Sequence, residues 1–193
     1  MKSKFQIISK KKIHSGFFEL NEYILKFKRY DGNWSKEIIR EIFGGAQVSA
    51  VLPFDPQKKE IVLIQQFRPG TVTKQFDNYL YEVVAGIIDP GETAEDTAKR
   101  ECLEETGCKI KKIIPIQGYF PAPGSSESFY HLFLGEIDAF EGERVMGLES
   151  ENEDILVRSY KLSEIKEMMK KGSILNGLTL IALQWFFLNI SKF

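Results

Sequence analysis

The chain has 193 residues, 43% of them apolar and 27% charged, which suits a globular domain with a sizeable core and leaves room for an appended subdomain. Its formal net charge of −1 excludes a bulk electrostatic pull toward nucleic acid or a membrane surface. No apolar run follows the basic N-terminus (Lys2, Lys4, Lys10, Lys11, Lys12), so it is not a secretory signal. The apolar run 178–190 is too short to span a bilayer and carries Gln184 and Asn189.

Residues 1–45 predict a small antiparallel β unit, distinct from a main domain over 46–193. Within it, 23–30 is strand-like, Asp31-Gly32-Asn33 is a turn signal and 36–43 is the returning strand. A lone hairpin is marginal in water, so it packs either on its own chain or on a second copy. Gly44-Gly45 reads as a joint. The main domain opens with strands over 48–54 and 61–67, turned at Asp55-Pro56-Gln57, then a polar loop over 70–79 and a strand over 80–85. After an acidic helix come a strand over 109–120, a Pro/Gly/Ser-rich loop over 121–128 and a strand over 129–137. An acidic loop over 141–154 and a strand over 155–162 follow. Ser163 reads as the cap of a helix stopped by Gly172, and 177–190 as a last helix, apolar most of the way round and so buried on the sheet or on a partner chain. Strands interleaved with flanking helices predict an α/β sandwich around a mixed sheet. Cys102 and Cys108 lie six positions apart on or beside one helix, poor geometry for a disulfide; we read them as reduced and packed, as in a cytoplasmic chain.

The stretch 86–108, GIIDPGETAEDTAKRECLEETGC, organises the rest. Thr93 with Asp96 starts a helix and Gly107 stops it. Ala94, Ala98 and Cys102 make a small apolar stripe that lets the helix sit close to a sheet. Glu101, Glu104 and Glu105 project from one side. Two charges about 4 Å apart cost about 4 kcal/mol at an effective dielectric near 20, so a sheltered cluster needs protons, basic partners or cations. Oxygen-rich sites suit Mg²⁺ or Mn²⁺. For an arbitrary glutamate run the plain reading is a solvated face. Here the spacing decides otherwise: Gly86, five residues, Glu92, seven residues, then Arg100-Glu101-Cys102-Leu103-Glu104-Glu105-Thr106-Gly107. This resembles the full Nudix box, departing only where Cys102 and Cys108 replace aliphatic residues. The box implies the Nudix α/β/α fold and hydrolysis of a nucleoside diphosphate linked to another group.

Other stretches narrow the resemblance to bacterial ADP-ribose pyrophosphatases. Pro123 stands sixteen positions past Gly107, inside Pro121-Ala122-Pro123-Gly124-Ser125-Ser126-Glu127, which is similar to a loop of those enzymes with one residue fewer. Arg40-Glu41-Ile42-Phe43, Leu52-Pro53-Phe54-Asp55-Pro56, Gly147-Leu148, Glu151-Asn152-Glu153-Asp154-Ile155 and Ile181-Ala182-Leu183-Gln184-Trp185 look like the same group. The resemblance implies Mg²⁺-dependent hydrolysis of ADP-ribose to AMP and ribose 5-phosphate by metal-activated water, with two or three Mg²⁺ (or Mn²⁺) ions. It assigns the Ala85 carbonyl, Glu101, Glu105 and Glu153 as metal ligands. Glu151 is the general base, and Glu104 lies on the metal-facing side. A one-residue shift of loop register exchanges Glu151 and Glu153. Arg68 is implied at phosphate, Glu82, Pro123 and Glu127 near the ribose and metal region, and Phe17 and Arg40 at adenine. The last two would come from the partner of a homodimer whose N-terminal β subdomains are exchanged.

From the residues alone, Phe17 reads as a hairpin core residue, Arg68 as a surface ion pair, and Glu151 with Glu153 as a solvated acidic loop. His14 and His131 read as structural. Two rival functions stand beside the main one. The first is hydrolysis of another nucleotide sugar such as GDP-mannose. The second is a non-catalytic sensor of ADP-ribose, which the complete set of box glutamates opposes.

Overall fold

The structure is a computed structural model that describes residues 4–73 and 77–193, except for the side chain of Glu151. The chain forms two compact units. One comprises residues up to Ala46 together with Phe120–Phe129, and the other comprises Gln47–Tyr119 and Tyr130–Phe193. The Pro/Gly/Ser-rich loop belongs with the first unit. Gly45 allows this, since a Cβ there would collide with the backbone of Glu127 and Ser128.

The small unit is a three-stranded antiparallel sheet of β1 (Phe5–Ser15), β2 (Glu19–Phe27) and β3 (Ile38–Phe43), in that order. The first strand was not legible in the sequence. Its run of lysines breaks the apolar alternation, and all eleven of its residues are exposed, so no buried face imposes a period of two.

The large unit is built on a mixed sheet. Strands β4 (Gln47–Asp55), β5 (Glu60–Phe67), β8 (Lys112–Tyr119), β9 (Phe129–Glu136), β10 (Glu143–Met146) and β11 (Ile155–Lys161) take the order β10-β11-β5-β4-β9-β8. Strand β6 (Tyr79–Glu82) pairs with β5 and β7 (Val84–Ile87) with β4. Alternation along the central strands sorts their side chains onto two faces. Val51, Val62 and Ile64 pack with Ala98 and Cys102 of helix α1 (Ala94–Thr106). Leu52, Ile61 and Leu63 pack with Ile165 of α2 (Leu162–Lys170) and with Leu183 and Phe186 of α3 (Gly177–Asn189). This is the expected sandwich. Both cysteines are free and buried. Among the described residues no helix is long and apolar enough to cross a membrane.

Several expectations need adjusting. The strand predicted over 80–85 is two strands with different partners, broken at Val83. The Val83 N–H leaves the ladder and donates to the Thr179 hydroxyl of α3 at 3.0 Å. Both residues are buried, so Thr179→Val would leave an unpaired amide in the core. It should lower unfolding stability by about 1–3 kcal/mol in a urea titration, without changing the m-value. The predicted acidic loop contains β10, which pairs with β11. Helix α2 starts one residue before Ser163, and Glu164 rather than Ser163 serves its N-terminus by accepting from the Lys161 N–H at 2.8 Å. On α3, Thr179, Ala182, Leu183 and Phe186 are buried, while Ile181 and Leu188 stay exposed.

Candidate active site

Helix α1 is set by its ends. The Thr93 hydroxyl accepts from the Asp96 N–H at 3.2 Å, and Gly107 closes the helix in the left-handed region at φ 70°. Its small stripe of Ala98 and Cys102 is completely buried. The close fit on the sheet brings the Glu101 and Glu105 side of the helix beside β7.

Arg100 joins the first carboxylates. Its Nε and Nη2 donate to Glu92 at 2.9 and 3.0 Å, and its Nη1 donates to Glu101 at 2.8 Å and Glu104 at 3.0 Å. The one guanidinium thus hydrogen-bonds three acids. The Arg100 fork, with the Thr97 hydroxyl behind it at 2.8 Å, pulls the Glu92 carboxyl down to about 2. The pairing adds its full stability above the ordinary carboxylate pKa of 4.5 and loses it as pH falls through about 2.

Glu105 is the opposite case. It is 4% exposed, and its Oε2 has no hydrogen-bond partner. Burial first, then the charges of Glu101 and Glu153, push its carboxyl up to about 9, against the opposing effects of the Ala85 amide and Arg68. Burial also raises Glu101, which Arg100 counters and Glu104 and Glu153 reinforce. Glu153 is held by its own loop, its Oε2 accepting from the Leu148 N–H at 3.2 Å. Gly147, at φ 106°, makes room for it: a Cβ there would stand 2.7 Å from the Glu153 Cβ. The third acid thus reaches the helix glutamates from a distant stretch of chain.

Gly86 has a similar reason. A Cβ on it would occupy the place of the Glu101 carboxylate. Gly86→Ala should leave the fold intact, because a side chain end can swing away, but displace Glu101. We expect kcat to fall by about 10²-fold, as misplacement of a catalytic group by about 1 Å does, with an unchanged melting midpoint; steady-state kinetics and calorimetry check both.

Across β5 and β6, Arg68 donates to Glu82 through Nε at 3.0 Å and Nη2 at 2.7 Å. Glu82 is buried. This pair raises Arg68 further above its usual range, with help from Glu105 and Glu153. Arg68 is thus in an ion pair, as read from the residues, but on a buried carboxylate.

Among the described residues no three carboxylate, imidazole or thiolate groups close into a finished metal cage. The donors nonetheless fit a hard divalent cation: an orphaned buried oxygen on Glu105, with the charges of Glu101 and Glu153 close enough to repel it. Glu151 lies in the 3₁₀ turn Glu149–Glu151, and its side chain is outside the described residues.

The NUDIX domain family matches residues 45–176. The chain belongs to the Nudix family. Relatives named ADP-ribose pyrophosphatase match this Nudix chain almost end to end. The Escherichia coli (strain K12) protein is 36% identical over 184 residues, covering 95% of this chain and 88% of the relative. The Haemophilus influenzae protein is 33% identical over 190 residues, covering 97% and 88%. A Cronobacter sakazakii relative named GDP-mannose pyrophosphatase is 32% identical over 187 residues, covering 93% of each. A crystal structure of a protein described as an ADP compounds hydrolase superposes with a TM-score of 0.73 at 18% identity, covering 98% of this chain and 96% of that one, which speaks to the fold.

The remaining predicted site residues of the Nudix chain sit in the small unit. Phe17 lies in the β1–β2 turn and is 89% exposed, so it is not a hairpin core residue. Arg40 is exposed on β3, its Nη1 donating to the Ile39 carbonyl at 2.7 Å. Pro123 is exposed in the 120–129 loop, and Glu127 in the same loop accepts from the Tyr23 hydroxyl and pairs with Lys10 at 3.7 Å. Sequence reading missed the parts of Thr97, Gly147, Tyr23 and Lys10. Only the hydroxyl at 97, one turn after Thr93 on the box helix, left a local trace.

Proposed function

We propose that the chain is a Mg²⁺-dependent pyrophosphohydrolase that splits ADP-ribose into AMP and ribose 5-phosphate. The observation that carries this reading is the end-to-end match to relatives named ADP-ribose pyrophosphatase, joined to a complete set of box glutamates. Glu101, Glu105, Glu153 and the Ala85 carbonyl would hold the divalent cations, two or three per site. When bound, such cations neutralise pyrophosphate charge and acidify a water. Arg100 keeps Glu104 and Glu101 in place. Arg68, clamped by Glu82, presents its remaining N–H groups to a phosphoryl oxygen. Glu151, on the loop between β10 and β11, takes the proton of the attacking water as general base.

A homodimer with exchanged small units belongs to the same proposal. Ile7, Ile8 and Ile13 of β1 are 53, 49 and 40% exposed, apolar side chains that a second subunit would cover. In that arrangement Phe17 and Arg40 of the partner subunit flank adenine, and Glu127 and Pro123 lie toward the ribose and the metals. Sedimentation should give twice the mass of one chain, and Ile7→Asp with Ile13→Asp should shift it to monomer with at least tenfold loss of kcat/KM, about 1.4 kcal/mol. An active wild-type monomer would remove the exchange.

The test of the reaction is product analysis on ADP-ribose with Mg²⁺ in ¹⁸O-labelled water. Label is expected in AMP, from attack at the adenosyl phosphorus, and Glu151→Gln should slow turnover by about 10²-fold or more. Label in ribose 5-phosphate would reverse the orientation, and no turnover would reject the substrate. The GDP-mannose relative favours a second reading, which competition between the two substrates decides.

A further inference from the structure

Beside the C-terminal end of α1 lies a cavity of about 550 Å³, lined in part by Gly107, Lys109, Lys111, Asp138, Phe140 and Arg144. That volume is in the range of small-molecule sites. None of these residues has a part in the hydrolysis proposed above. Lys109, Lys111 and Arg144 bring three positive charges, and Asp138 brings one negative charge, already paired with Lys111. The helix end adds roughly half a negative charge. The balance stays near +1.5, so the helix end does not account for the cations. Among the described residues neither Lys109 nor Arg144 forms an ion pair. The Arg144 guanidinium instead sits 3.8 Å from the centroid of the buried Phe140 ring, which fixes it without engaging its N–H groups. Three backbone amides here are already used: Gly107 N–H donates to the Leu103 carbonyl at 2.9 Å, Cys108 N–H to the Thr106 hydroxyl at 3.1 Å and Lys111 N–H to the Glu136 carbonyl at 2.8 Å. The cationic side chains are therefore the main donors to an anion.

We propose that this cavity is a second ligand site, for a small phosphate monoester, with the Arg144 fork taking two phosphate oxygens and Lys109 the third. The cavity has space for the organic group of the monoester as well as its phosphate. Binding here does not depend on the hydrolytic reading; only the choice of AMP and ribose 5-phosphate as probes does.

Calorimetric titration of the full chain in EDTA, with inorganic phosphate, ribose 5-phosphate and AMP in turn, tests the site. At least one monoester should bind saturably, one per chain, with Kd between about 10 μM and 1 mM. Arg144→Gln with Lys109→Gln should weaken it at least tenfold without moving the melting midpoint. Lys109→Glu, which leaves the Phe140 contact untouched, should do the same, and Glu101→Gln should leave it unchanged. No saturable binding by the wild type, binding unaffected by the Arg144 and Lys109 changes, or binding lost in Glu101→Gln would each overturn the proposal. Failure to hydrolyse ADP-ribose would leave these binding results standing.

Discussion

In metal-free buffer above pH 7, Glu105→Gln is expected to melt at a higher temperature than the wild type, while losing about 10³-fold in turnover. The carboxyl of Glu105 is 4% exposed, one of its oxygens has no partner, and Glu101 and Glu153 press on it electrostatically. The folded protein therefore keeps it protonated to about pH 9, against 4.5 for an ordinary glutamate. Between those values the folded state binds more protons than the unfolded one, so stability is complete below about 4.5 and falls as pH rises toward 9. Glutamine keeps the shape and the Ala85 contact without the charge. The gain at pH 8 should be about 2 kcal/mol or more, roughly 4–8 °C in a domain of this size. Added Mg²⁺ should reverse the order, since cations that bind only the folded state stabilise the wild type by mass action and find one ligand fewer in the variant. Scanning calorimetry from pH 5 to 9, with EDTA and then with Mg²⁺, reads both. A variant less stable than wild type in EDTA, or equally stabilised by Mg²⁺, would show that Glu105 is a packing residue.

Arg100→Met is expected to cost about 10²-fold or more in kcat with little change in KM. One guanidinium serves Glu92, Glu101 and Glu104 through three nitrogens, at 2.8 to 3.0 Å. Without it the three carboxylates repel one another, and Glu101 and Glu104 turn outward to water. The substrate contacts assigned to Arg68, Phe17 and Arg40 stay, so binding is kept while the arrangement for chemistry is lost. Arg100→Lys should recover only a small part, because a point charge cannot match a planar fork on several carboxylates. The same loss has an acid signature. The wild type gives up the Glu92 pairing as pH drops from 4.5 toward 2, and Arg100→Met should lack that step in an acid-unfolding profile. Wild-type kcat in Arg100→Met would mean that the glutamates are held by something other than this hub.

Much of α1 is legible in its residues. Thr93, Asp96 and Gly107 are end signals that act within one turn, and the glutamates face one way because helical spacing makes them. The Arg100–Glu92 pairing is harder to foresee. The two are eight residues apart with the helix start between them, and only the path of 89–93 brings Glu92 back over the helix. Strands with one buried face are legible for the same local reason, whereas β1 and β10, exposed along most of their length, carry no alternation to read. The break at Val83 is invisible in the sequence because it depends on a hydroxyl from α3, supplied by another part of the chain.

Box spacing, caps and apolar periodicity are short-range properties of the chain, so the residues alone carried the Nudix assignment, the sandwich class and the identities of the acidic groups. Which acids are strained and which are satisfied came only with the fold. The pairing of β6 with β5 leaves Glu82 within reach of the Arg68 side chain, the β10–β11 connection carries Glu153 toward Glu101 and Glu105, and dense packing of α1 on the sheet strips water from Glu105. Those effects depend on burial and on distances between remote segments, and a carboxylate's charge is tuned by the dielectric and the neighbours that folding supplies.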